Sequence, residues 1–73
     1  MNIKQVIELV EKWIADPKSV SRKELRAARA VAVHAADAWY AVRTAWCAAQ
    51  SALNGDIYYA EHWVAKYHKN HND

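Results

Sequence analysis

Ile3, Val6, Ile7, Val10, Trp13 and Ile14 recur three and four positions apart, the spacing that lines one face of an α-helix. Lys4, Glu8, Glu11 and Lys12 fill the other face, so the pattern predicts an amphipathic helix over 3–15. Asn2 with Gln5 has the form of a capping box at its start. Asp16-Pro17 ends it, because the residue before a proline disfavours helical geometry. A second capping box, Ser21 with Glu24, is flanked by Val20 and Leu25 at the spacing of a hydrophobic staple. Neither glycine nor proline follows until Asn54-Gly55, a natural left-handed stop, and the pattern predicts one long helix over 22–53. Asp56 then caps a third helix, over 56–68, carrying Ile57, Ala60, Trp63, Val64 and Tyr67. The expectation is an all-α fold in a single domain over 1–73, with 69–73 as a frayed tail.

The long helix carries two apolar seams. Leu25, Ala28, Ala32, Ala35, Trp39, Val42, Trp46, Ala49 and Leu53 alternate by three and four, a heptad pattern with enough bulk to receive the first and third helices. Ala27, Val31, His34, Ala38, Ala41, Ala45, Ala48 and Ala52 repeat the alternation, about 110° around the helix at about 100° per residue. Nearly pure alanine suits close approach of another backbone, and this seam predicts an antiparallel two-fold dimer. Arg22, Arg26, Arg29, Asp37, Tyr40, Arg43, Thr44, Gln50 and Ser51 form the stripe left for water. Such a helix would be about 48 Å long, against about 29 Å across for a compact chain of this length, which predicts an elongated three-helix protomer. A bend near His34 is the alternative, but no Gly or Pro is present to cause a kink.

A chain of 73 residues buries only about 60% of the surface its unfolded form exposes, so a second copy or a partner is expected to supplement the core. Cys47 is the single cysteine and cannot close an internal disulfide. The composition is 53% hydrophobic and 25% charged, with one Gly and one Pro, which reads as ordered and helical rather than disordered. No apolar run reaches the length of a membrane span, and the N-terminus interleaves charges unlike a signal peptide. A cytoplasmic location with no membrane partner is the expectation. A net charge of +2 without a dense basic block makes nucleic acid the second choice of partner. That alternative uses Lys18, Arg22, Lys23, Arg26 and Arg29 at the start of the long helix to contact phosphates.

Candidate chemistry is sparse. His34 and Asp37 are three apart, with Tyr40 and Arg43 continuing the row, which is the beginning of an Asp-oriented general base. No nucleophile or glycine-rich loop accompanies it, so the expected role is a polar contact at a helix interface and the expected function is non-enzymatic. Glu61-His62 reverses the His-Glu-x-x-His order, with Ala65 or Lys66 where a second ligand would stand. His68 and His71 are a turn apart in the tail, where metal binding would be adventitious, and no cofactor is expected. Cys47 has Arg43 one turn earlier as a thiolate stabiliser, although a small half-buried hydrophobe is the simpler role.

The aromatic residues are four Trp and four Tyr, with no Phe. Trp and Tyr join an apolar body to a polar tip and are enriched where an interface meets water. Trp13, Trp39 and Trp46 are expected in the core. Tyr40, Tyr58, Tyr59 and Trp63, with Arg29 and Arg43 as polar anchors, are the candidate partner-binding surface.

The stretches "SVSRKELRAARAVAVHAADAW", "RTAWCAAQSAL" and "YYAEHWVAKY" together resemble the alanine-rich, all-helical immunity proteins associated with bacterial toxin systems. The residues that carry the resemblance are Glu24, Leu25, Arg26 and Ala27, then His34, Ala35 and Ala36, then His62. Small phage-encoded helical proteins of similar composition are resembled equally. Either resemblance implies a protein that binds and neutralises another protein by occlusion, as an immunity or anti-defence inhibitor without a cofactor.

Overall fold

Both capping boxes form in the computed structural model, which describes residues 1–70. Asn2 Oδ1 accepts from the Gln5 N–H at 2.9 Å while Gln5 Oε1 accepts from the Asn2 N–H at 2.8 Å, and α1 runs Ile3–Ala15. Asp16 and a 3-10 turn at Pro17–Ser19 redirect the chain. Ser21 Oγ accepts from the Glu24 N–H at 3.1 Å, and Glu24 accepts from the Ser21 N–H at 3.0 Å. There α2, Arg22–His34, begins.

The long helix does not exist. The chain leaves α2 at His34 and resumes as α3, Trp39–Leu53, with α4 over Ile57–Asn70, so the described residues hold four α-helices where the pattern predicts three. Ala35 and Ala38 are extended, with ψ of 135° and 136°, and Asp37 Oδ1 accepts from the Ala38 N–H at 3.0 Å. No glycine or proline imposes this break; packing does. Three of the four linking residues are alanines, so little side-chain contact is lost by leaving the helix. Asp37 supplies a local hydrogen bond that competes with helix. The reversal gives the alanine face of α3 a partner within its own chain, and helices are held in proteins more by such packing than by propensity.

The second seam enters the core at the break. In α2 the core face is the first seam, Leu25, Ala28 and Ala32, whereas in α3 the second, Ala41, Ala45, Ala48 and Ala52, forms it together with Ala49 and Leu53 of the first. Those four second-seam alanines are buried inside the protomer and present no face to another copy, while Ala27, His34 and Ala38 are exposed and Val31 is half-buried on separate elements. The continuous dimer seam is therefore lost along with the helix that carried it. Trp39 and Trp46, expected in the core, turn outward for the same reason, at 69% and 37% exposure. Thr44 and Ser51, expected in water, turn inward. Their hydroxyls are satisfied along the helix: Thr44 Oγ1 donates to the carbonyls of Tyr40 and Ala41, and Ser51 Oγ to that of Cys47.

α3 packs against each of the other three helices, and α1 does likewise, whereas α2 and α4 do not touch. The long side chains of the core come chiefly from α1, whose Val6, Ile7 and Val10 are fully buried beside the small residues of α3. Trp13 is the one tryptophan that takes its expected place in the core. The α3–α4 turn closes by glycine: Gly55 has φ 72°, its N–H donates to Ala52, and the Asp56 N–H donates to Ser51, the two bonds of a Schellman motif. Asp56 Oδ1 then accepts from the Tyr59 N–H at 3.0 Å and caps α4. α4 runs two residues beyond the predicted end, to Asn70, and the rest of the expected frayed tail lies outside the described residues.

Candidate functional site on the outer surface of α3 and α4

With its alanines inward, α3 turns Trp39, Tyr40, Arg43 and Trp46 outward. Trp39 and Arg43 are one turn apart, and the Arg43 guanidinium lies 5.4 Å from the centre of the Trp39 ring, within the range of a cation–π contact. On the α4 side, Tyr40, Arg43 and Thr44 meet Trp63 and Lys66 across a cleft of about 180 Å³. The antiparallel α3–α4 hairpin makes this meeting possible, because the tight Gly55 turn brings the start of α3 beside the middle of α4.

Tyr58 and Tyr59 extend the surface along α4. Tyr58 and Tyr59 meet edge to face at 5.5 Å, Tyr59 meets His62 at 6.5 Å, and His62 meets Trp63 at 5.1 Å. Tyr58 is 76% exposed and Tyr59 54%. Five of the six residues expected to bind a partner, Tyr40, Arg43, Tyr58, Tyr59 and Trp63, are thus linked by the cleft and by this chain of ring contacts. Arg29 does not join them: it donates to Gln50 Oε1 at 2.6 Å across the α2–α3 boundary. Sequence reasoning missed Trp39, His62 and Lys66 as members. Trp39 carried a readable signal, since it stands four residues before an arginine on the same helix.

The polar pair His34 and Asp37 does not form. His34 ends α2 and Asp37 stands in the break with its carboxylate on the Ala38 N–H, so the four-residue row on one helix is cut. Both instead line a groove of about 440 Å³ with Met1, Asn2 and Ile3. Cys47 is half-buried, and that burial raises its thiol pKa against the opposing charge and hydrogen bond of Arg43. Such a thiol is a poor nucleophile at neutral pH. His68 Nε2 lies 3.1 Å from Glu11 Oε2, tying α4 to α1, and His71 lies outside the described residues. Among the described residues no three His, Cys, Asp or Glu side chains are grouped to hold a metal ion, and no helix is long and apolar enough to cross a membrane.

Comparison with protein-family models, with curated proteins and with solved structures finds no match to this chain.

Proposed function

We propose that the protein is a non-enzymatic binding module whose α3–α4 surface docks on a protein partner and inhibits it by occlusion. The observation that carries this reading is the outward placement of Trp39, Tyr40, Tyr58 and Tyr59 on adjacent helices, next to Arg43. Exposed clusters of large apolar side chains mark interaction sites, and Trp, Tyr and Arg are the residues enriched in interface hot spots. The cleft floored by Thr44 is small, so it suits an inserted side chain better than a substrate. The resemblance to immunity proteins and to small phage-encoded proteins agrees with this reading and suggests a toxin or a host defence protein as the target, met in the cytoplasm.

The test is affinity capture from bacterial lysate with the full chain, followed by an activity assay of the captured protein with and without added chain. The comparison variant changes Tyr40, Arg43 and Tyr58 to alanine together and is checked for native helicity. One protein captured by the wild type, lost in the variant and inhibited on addition of the wild type is the expected result. Capture unchanged by the three substitutions, or capture without inhibition, would overturn the reading.

A further inference from the structure

The α2–α3 side of the molecule has a different chemistry from the α3–α4 side. At about 100° per residue, Arg22, Arg26 and Arg29 fall within an arc of about 60° on α2, turned toward α3. Two of them are held there: Arg22 Nη1 donates to the Leu53 carbonyl at 2.7 Å, and Arg29 Nη1 to Gln50 Oε1 at 2.6 Å. Trp39, Trp46 and Arg43 occupy a similar arc of about 60° on the outward side of α3, and both tryptophans are exposed. Glu24, the only carboxylate of α2, lies on the far side of that helix within the field of Lys12 of α1, and α3 contains no Asp or Glu. Among the described residues the one ion pair is His68 with Glu11, so none of the four arginines is neutralised by a carboxylate. These four exceed the chain's whole net charge of +2, and the remaining residues are net acidic. Outside the two helices, the nearest carboxylate in sequence to this face is Asp37, in the link between them, where it accepts from the Ala38 N–H.

We infer that this α2–α3 face binds single-stranded nucleic acid, with phosphates on the arginines of α2 and bases stacked on Trp39 and Trp46. A row of guanidiniums on a rigid helix, with no carboxylate from that helix beside it, is a composition for binding anions. It suits a polyphosphate backbone, because the fork of a guanidinium matches phosphate oxygens. Helix geometry separates the three α2 arginines by about 6 and about 4.5 Å along the axis, so they track an extended strand rather than converge on one anion. The tryptophans select the single strand, since an aromatic face stacks only on bases that are not already stacked in a duplex. Trp39 and Arg43, in contact with each other, belong to both surfaces, so the two kinds of partner would compete for them, but the inference does not depend on a protein partner.

The test is quenching of intrinsic tryptophan fluorescence on titration of the full chain with an oligodeoxythymidylate of about 16 nucleotides, repeated over a range of salt. Expected are quenching and a fall of log affinity with log salt at a slope of about −2 to −3, from three or four phosphate contacts on a single strand. Arg26→Gln, at an exposed residue with no hydrogen-bond partner among the described residues, should make that slope about 0.7 shallower. Trp39→Ala should weaken binding about tenfold. Both positions are exposed, so circular dichroism should show unchanged helicity. No saturable binding, or affinity unchanged by Trp39→Ala, overturns the inference. Equal or tighter binding of polyglutamate of matched length would overturn it too and assign the face to an acidic protein.

Discussion

Two titrating side chains report on the fold from opposite directions. Glu24 has its pKa lowered, first by the Ser21 N–H that its carboxylate accepts, then by the Ser21 hydroxyl and the charge of Lys12, against a desolvation that acts the other way. A carboxyl with a depressed folded pKa contributes stability that is present above the unfolded value and is lost as pH falls through the folded one. The difference in melting temperature between wild type and Glu24→Gln should therefore be largest near neutrality and vanish on acidification below the ordinary glutamate range. A difference that stays constant through and below that range would mean the capping box contributes no charge-dependent stability. Cys47 behaves inversely. Burial raises its pKa and Arg43 lowers it, with burial the larger effect. Alkylation by iodoacetamide should need a higher pH than a free cysteine does, and Arg43→Gln should push that pH higher still. Faster alkylation than free cysteine at neutral pH would instead identify a reactive thiol.

Alanine is decisive at the scale of the element, because the same residue type does opposite work in α2 and α3. Ala45 is fully buried where α3 meets the rest of the core, so Ala45→Leu forces side-chain volume into a packed space and should destabilise the chain by about 1–3 kcal/mol. Ala27, also on the second seam, is exposed, and Ala27→Leu should leave stability within about 0.5 kcal/mol of wild type. Chemical denaturation of the two variants checks this; an unbroken seam would make them respond alike. The contrast also explains what was legible beforehand. α1, both capping boxes, the Asn54-Gly55 stop and the start of α4 were readable because each is fixed by local chemistry: side-chain acceptors three residues before backbone donors, or a left-handed glycine. The break at 35–38 was legible only as the less favoured alternative, a bend near His34, since the apolar alternation runs through it in register and no residue there forbids helix. A change of bulk was the only trace. The second seam holds Val31 and His34 before the break and only alanine after it, while the first seam gains two tryptophans with polar tips. The candidate surface was legible in part for the same reason: Tyr40, Arg43, Tyr58, Tyr59 and Trp63 were chosen for their chemistry, which survives an error in topology. Trp39 was assigned by its seam, which does not.

At the scale of the whole molecule, the break sets the shape and removes the continuous seam on which a dimer was expected. The chain has a radius of gyration of 10.7 Å and a longest extent of 30 Å, close to the roughly 11 Å expected for a compact chain of its length. A helix over 22–53 would alone measure about 48 Å. The reason for a dimer changes as well, since the alanines that were to meet a second copy already meet α1, α2 and α4 in the protomer's own core. Small-angle X-ray scattering with light scattering on the same sample separates the two architectures. The expected result at micromolar concentration is the mass of one chain, with a maximum dimension little above 30 Å once side chains and hydration are included. A dimeric mass with the rod-like profile of paired helices about 48 Å long would restore the long helix, since two compact protomers make a thicker particle. A dimeric mass with a compact profile would instead keep the fold and place the contact on the exposed aromatic surface. The variant lacking Tyr40, Arg43 and Tyr58 should then return to the mass of a single chain.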